Sequence, residues 1–372
     1  MAKYLIKPES AYGNPEQVLS NYACATPFRH IEIHMSGKVS ACCQTWLPTW
    51  VGNLLTDSPE DVISNLDRRK IQDDMRQGKF TNCNDQCPQL NSLLNGHKKE
   101  FYWDIVPIEK LDNLLAHRSM DVYFSYDPSC NLQCPSCRHG LIVWDPEDLS
   151  DVKAQQAKRI HEKVKALIEI LVTQHSRVVL SITGSGDPFA SPLYWSYLEE
   201  LASKPIPSNL FINLQTNGVM MTEQNWNAIK PLWPHIAYVN VSVDAATEDT
   251  YKIVRKNGNF KRLQKNLDLL DQMIIDKCFP NISGWQSNLI VQKANYKELT
   301  QFVEWHLGFK SKPIIWTNLI AQWYHMNDEQ FKTMAIWQDN HPERSELIEI
   351  LKNPIFKNDQ VKLGNMAALV PK

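Results

Sequence analysis

Long apolar runs are missing. None of the 372 residues falls in a stretch approaching the ~20 apolar residues of a membrane span. Met1 to Ser10 has no apolar core of the kind a signal peptide carries. Neither sign of charge prevails: 39 Lys and Arg face 41 Asp and Glu, a formal net charge of −2. That balance removes the basic footprint of a nucleic-acid binder and the polybasic signal of a membrane-surface protein. Internal repeats and low-complexity segments are absent too, which excludes a solenoid.

What is present fits a folded, cytoplasmic protein. Hydrophobic residues make up 43%, enough for a full core, and the length suits two or three domains. Disulfides are rare in the cytosol, so nine cysteines point to metal. Cys24, Cys42, Cys43, Cys83 and Cys87 precede residue 90, three more lie within 130–137, and Cys278 stands alone.

The densest cluster is Cys130-Asn131-Leu132-Gln133-Cys134-Pro135-Ser136-Cys137, directly after the strand-like run Val122 to Tyr126. Thiolates hold iron–sulfur clusters, and a cubane has four irons. Three close cysteines can bind three corners and leave the fourth iron open to a substrate or cosubstrate. Half a zinc site fits less well, because structural zinc takes four ligands, commonly as paired CxxC. Free cysteines are often buried bystanders, but three within eight residues are not explained that way.

This CxxxCxxC stretch resembles the signature of the radical S-adenosylmethionine (SAM) enzymes. The resemblance implies a [4Fe–4S] cluster on Cys130, Cys134 and Cys137, with SAM bound to the open iron through its amino and carboxylate groups. It further implies reductive cleavage of SAM to a 5′-deoxyadenosyl radical that abstracts hydrogen from a substrate. Ser136 stands where the family usually has an aromatic residue packed near the adenine.

Ahead of that loop, His30 to Met35 alternates, Ser36-Gly37-Lys38 is a turn, and Val39 to Cys42 returns. This reads as a β-hairpin that brings Cys24 and Cys42 together. Ser58-Pro59-Glu60 opens a helix expected to run to about Gly78. Cys83 and Cys87 follow it, so a hairpin pair and a post-helix pair can make a four-thiolate site. The pattern resembles the SPASM/twitch auxiliary-cluster domain of peptide-modifying radical SAM enzymes. It implies one auxiliary [4Fe–4S] cluster on Cys24, Cys42, Cys83 and Cys87, with Cys43 as the spare. Here the domain precedes the barrel instead of following it. A structural zinc at the same four thiolates is the rival reading.

From residue 118 strands and helices alternate, which argues a parallel sheet. Strands are expected at 119–126, 178–183, 209–216, 236–244, 285–292 and 312–320. Helices are expected at 149–173, 191–203, 222–233, 247–256, 261–275 and 296–308. In the first of these, Ala157, Ile160, Val164, Leu167 and Leu171 form an apolar stripe. Parallel strands buried on both faces should be apolar throughout, yet Asn213, Gln215, Asn240, Ser242 and Asn288 alternate with Leu and Val. One face must therefore line a wet or ligand-filled interior. The fold class is α/β: a partial (β/α)6 radical SAM barrel at 111–320, a small N-terminal α+β SPASM-like domain at 1–110, and a C-terminal helical extension at 321–372.

Functional residues in such barrels gather at the carboxyl ends of strands. Gly184-Ser185-Gly186-Asp187-Pro188 follows the second strand and resembles the superfamily's Gly-Gly-Glu-Pro element, which implies that it holds the SAM amino group. Thr216-Asn217-Gly218 resembles the ribose-facing turn. Ser242 and Arg255 are by resemblance candidates for the SAM carboxylate; Asp244 belongs there or caps the helix near Thr247. Trp323, Tyr324 and His325 follow the sixth strand and face substrate or pack. Cys278 reads as an apolar filler.

The resemblance implies a radical SAM enzyme acting on a ribosomally synthesised precursor peptide by crosslinking, oxidation or backbone excision, with epimerisation disfavoured. About 20 residues before Cys24 are too few for an independent domain, so a separate peptide-recognition protein or an unaided leader site is expected. A flavodoxin, ferredoxin or reductase would donate electrons. Two rivals stay open: a small-molecule or sugar-nucleotide dehydratase or oxidase, and an iron–sulfur electron carrier, which needs no polar interior.

Overall fold

The structure, a computed structural model, describes residues 15–85, 87–96, 104–117, 119–182, 185–322 and 326–370. The chain forms two compact units: Met1–Asp127 with Pro146–Gly184 and Pro207–Phe211, and Pro128–Asp145 with Ser185–Ile206 and Ile212–Lys372.

The first unit carries β1 (Tyr22–Cys24), β2 (His30–His34), β3 (Lys38–Ser40), β4 (Trp50–Asn53), β5 (Ile105–Pro107), β6 (Ser119–Ser125) and β7 (Arg177–Ile182). β1 and β5 form an antiparallel ribbon. The others lie in the order β7-β6-β2-β3-β4, with β6 parallel to both its neighbours and β2–β3–β4 antiparallel. The expected hairpin is β2–β3. Gly37 makes its turn at φ +77°, and a Cβ there would meet Asn53 Oδ1 at 2.6 Å, so only glycine fits. Parallel pairing of β2 with β6 is not readable from the alternation in His30–His34, which suits either direction.

The single helix expected over 58–78 is two helices, Pro59–Ile63 and Leu66–Arg76. Ser58 and Asp61 close a capping box on the first. Asn65 then starts the second, its side chain accepting from the N–H groups of Asp67 and Arg68. Farther on, the helix Val152–Gln174 buries the expected stripe from Ala157 to Leu171, each Val, Leu or Ile contributing roughly 1.5–3 kcal/mol. β6 follows the same logic: Met120, Val122 and Phe124 are buried, while Asp121, Tyr123 and Ser125 alternate on a half-buried face.

The second unit carries β8 (Leu210–Thr216) from Ile212 on, β9 (Ile236–Ser242), β10 (Trp285–Val291), β11 (Ile314–Leu319) and β12 (Val361–Lys362), parallel and adjacent in that order. The helix expected over 222–233 stops at Ala228 and continues as a 3-10 helix, Lys230–His235, because Pro231 and Pro234 lack N–H groups. The tail expected to be helical does form Asp328–Met334 and Arg344–Ile350, but it also returns to the sheet as β12. Among the described residues neither unit closes its strands into a barrel. The amides alternate as expected and bond to one another: Tyr238 donates to Gln286 (3.0 Å), Gln286 to Asn288 (2.5 Å), and Asn288 to Asn240.

Candidate active site and cluster sites

In the second unit the loop Cys130 to Cys137 lies against residues that follow β8 and β9. Its backbone is held by Cys130 N–H to Ile142 O (2.9 Å), Gln133 N–H to Lys256 O (3.0 Å) and Cys137 N–H to Cys134 O (2.9 Å). Cys130 and Cys134 are buried and Cys137 is exposed. Each sulfur faces a donor. Leu132 N–H (3.4 Å) and Asn217 Nδ2 (3.6 Å) reach Cys130 Sγ, Arg255 Nη1 reaches Cys134 Sγ (3.6 Å), and Arg138 Nη2 reaches Cys137 Sγ (3.4 Å).

Burial pushes the Cys130 thiol up to about 12, with Asp187 adding to the rise, and raises Cys134 as well. Thiols raised this way are inert as nucleophiles. A coordinating metal deprotonates a thiol outright, and N–H donors then stabilise the thiolate charge. Three sulfurs, each with its own donor, are a donor set that fits a thiolate-bound cluster.

The residues expected around SAM divide by what they touch. Gly184 lies outside the described residues, as do Trp323, Tyr324 and His325. Ser185 and Gly186 are half-buried. Asp187 is buried, and its carboxylate is taken up internally: Oδ2 accepts from Thr216 Oγ1 (2.8 Å) and Asn217 N–H (2.7 Å), Oδ1 from Phe189 N–H (3.0 Å). It ties its loop to the end of β8, a structural duty that the Gly-Gly-Glu-Pro resemblance does not convey. Asn217 likewise turns its amide onto Asn131 Oδ1 (2.8 Å) and Cys130 Sγ (3.6 Å). Ser242 sits half-buried at the end of β9.

Asp244 does not cap the next helix; Thr247 does, accepting from Thr250 N–H. Asp244 instead adopts φ +64°, accepts from Ile290 N–H at 2.7 Å and pairs with Arg255 at 2.8 Å. Burial opposes the charge of Arg255, but Asp244 and Cys134 outweigh it and hold the guanidinium ionised. Arg255 Nε is buried with no partner among the described residues.

In the first unit Cys24, Cys42, Cys83 and Cys87 line one pocket, walled by Trp46, Met75 and Phe80, and Cys43 is not among its lining residues. Burial raises Cys24 to about 12 and also lifts Cys42 and Cys87. Cys24 Sγ donates to Thr26 Oγ1 (3.4 Å), which donates to Asp104 (3.0 Å), and Asp104 pairs with Arg29. Gln89 and Leu90 N–H groups face Cys87. No three His, Cys, Asp or Glu side chains among the described residues converge on a single-ion site. The fit therefore rests on the donor set, four thiols lining one apolar-walled pocket.

Sequence reasoning missed Arg138, Asp104 and the Asp244–Arg255 pair. Arg138 directly follows Cys137, so adjacency was available as a signal. Asp244 depends on a left-handed backbone that no motif announces. Cys278 is half-buried, less enclosed than a core filler. Among the described residues no helix is long and apolar enough to cross a membrane.

Comparison with known proteins finds matches over both cysteine-bearing regions. The radical SAM superfamily model matches residues 125–286, and that of the SPASM iron-sulfur cluster-binding domain matches residues 24–88. A GTP 3′,8-cyclase from Petrotoga mobilis is 25% identical over 228 residues, covering 59% of this chain and 64% of the cyclase. Among solved structures, native anSMEcpe with bound AdoMet and Cp18Cys peptide is similar at 13% identity and TM-score 0.44, over 66% of this chain and 63% of that one. TYW1 with a lysine-pyruvate adduct bound is similar at 15% identity and TM-score 0.33, over 65% of this chain and 72% of that one. The radical SAM domain brings a [4Fe–4S] cluster and SAM, and the SPASM domain brings an auxiliary iron–sulfur cluster. The chain carries a radical SAM domain at 125–286 with a SPASM domain ahead of it at 24–88.

Proposed function

We propose that this enzyme acts on a ribosomally synthesised peptide, which it crosslinks, oxidises or shortens by backbone excision. The SAM chemistry is carried by the loop Cys130 to Cys137, with a separate N–H donor at each of its three sulfurs, and the peptide substrate by the SPASM match at 24–88. Cys130, Cys134 and Cys137 would hold the SAM-site cluster, and Cys24, Cys42, Cys83 and Cys87 the auxiliary one. When bound, the first cluster supplies the electron that cleaves SAM and so starts hydrogen abstraction from the substrate.

The chain's own residues orient the reactants. Arg255, aimed by Asp244, offers the free Nε–H for the SAM carboxylate, and Ser242 at the end of β9 is the second candidate. The backbone of Ser185 and Gly186 approaches the amino group, while Asp187 and Asn217 hold that loop in place. Asn213, Gln215, Gln286 and Asn288 present a neutral hydrogen-bonding face suited to peptide amides. The twitch-type arrangement, a separate peptide-recognition protein, a flavodoxin or ferredoxin donor, a cytoplasmic location and boundaries near 110 and 320 belong to the same reading.

The association of SPASM domains with peptides supports this substrate class. Similarity to a GTP 3′,8-cyclase favours a second reading, a nucleotide or other small molecule. The reconstituted enzyme, SAM and a reductant are incubated in parallel with a candidate precursor peptide, GTP and sugar nucleotides. Peptide-dependent 5′-deoxyadenosine with a mass change in the peptide is expected. Turnover with a nucleotide while the peptide stays inert overturns the peptide reading.

A further inference from the structure

We propose that Arg138 is a positioning residue that fastens the cysteine loop to the Ser185–Asp187 loop and raises the electron affinity of the cluster the three cysteines hold; this rests on the assignment of Cys130, Cys134 and Cys137 as ligands. Arg138 is 9% exposed. Its Nη1 donates to Pro128 O at 2.6 Å, and its Nη2 donates to Cys137 Sγ at 3.4 Å and to Ser185 O. Pro128 stands before the cysteine loop, Cys137 ends it, and Ser185 opens the second loop. One planar fork therefore joins three points with donors held in fixed positions, which a flexible ammonium does not provide.

The charge matters separately from the fork. Its acceptors among the described residues are two carbonyls and one sulfur, with no carboxylate. A buried cation is stable only when paired, so the negative charge it answers is that of the sulfurs. Net charge and hydrogen bonds to sulfur are the levers by which a protein sets a cluster's potential. Arg138 supplies both at Cys137, the most exposed of the three sulfurs.

Two substitutions divide these duties, read on the whole anaerobically reconstituted chain. Arg138→Gln removes the charge, and Arg138→Lys keeps it but loses the fork. Redox titration followed by electron paramagnetic resonance gives the midpoint potential of the SAM-responsive cluster; equilibrium binding gives SAM affinity. Arg138→Gln should shift the midpoint to more negative potential and retain the cluster about 10- to 100-fold less well, as loss of a supporting residue around a metal site does. Arg138→Lys should keep the wild-type midpoint yet bind SAM more weakly. A wild-type midpoint in Arg138→Gln overturns the proposal. If that variant does not fold, wild-type SAM affinity in Arg138→Lys overturns it instead. A SAM-responsive signal that survives combined Cys130→Ala, Cys134→Ala and Cys137→Ala would refute the ligand assignment, separately from the arginine's role.

Discussion

Replacing Asp244 by Asn removes one charge from the second unit and little else. Asparagine tolerates the left-handed φ of +64°, and its Oδ1 can still accept from Ile290 N–H. What it cannot do is pair with Arg255, now 2.8 Å away with side-chain exposures of 3% for Asp244 and 13% for Arg255. Removing one partner of a buried pair costs about 3–5 kcal/mol, because the other charge stays buried. Cys134 Sγ remains as a weak acceptor for Arg255, which puts the expected loss near the lower end, about 3 kcal/mol. Urea unfolding of the cluster-free chain, followed by tryptophan fluorescence, measures it. A cycle with Arg255→Gln should show a coupling of about 2–3 kcal/mol. A loss below about 1 kcal/mol, or additive single substitutions, would refute the claim that Asp244 exists to hold Arg255.

Three further outcomes follow from individual residues. His306 is buried in the helix Leu299–Leu307 with Nδ1 on Phe302 O and Nε2 unpartnered among the described residues, and burial lowers it from 6.5 to about 4. The unfolded chain takes up the proton first, so stability is full above pH 6.5 and drops by about 3 kcal/mol as pH falls to 4; unfolding midpoints across that range should flatten in His306→Gln. Gly37→Ala puts a Cβ 2.6 Å from Asn53 Oδ1 at φ +77°, which should cost roughly 1–3 kcal/mol, lower the melting temperature and reduce auxiliary iron. In deuterated water with a true substrate, Cys43→Ala and Cys278→Ala should leave the product unchanged; loss in either variant of a product carrying one carbon-bound deuterium would reveal an epimerase-type thiol donor.

The parts of this chain that sequence conveys are those set by periodicity or by covalent spacing. β8, β9 and β10 begin and end within two residues of their expected bounds, because alternation of Leu and Val with amides fixes both strand and face. The two cysteine sets are legible for the same reason, since residue type and spacing name the chemistry. What escapes are choices made by tertiary partners. Asp187 and Asn217 sit in recognisable motifs, yet which atoms their side chains meet depends on how the end of β8 lies against the loop, 30 residues apart for the bond from Asn217 N–H to Asp187. The pairing of β2 with β6 joins segments about 90 residues apart in the chain, and nothing local in His30–His34 selects it. Asn65 breaks a helix whose apolar pattern runs on through it, because a side-chain cap competes with one more turn.

The central claim is that two separate cysteine sets hold two clusters and that only the set at 130–137 serves SAM. It is tested by anaerobic iron counting together with 5′-deoxyadenosine formation in the wild type and in the chain with Cys130, Cys134 and Cys137 all changed to Ala. About eight irons should fall to about four, with SAM cleavage abolished and the remaining iron lost only when Cys24, Cys42, Cys83 and Cys87 are changed. Zinc in place of the remaining four irons, or SAM cleavage that survives the triple change, would contradict the account.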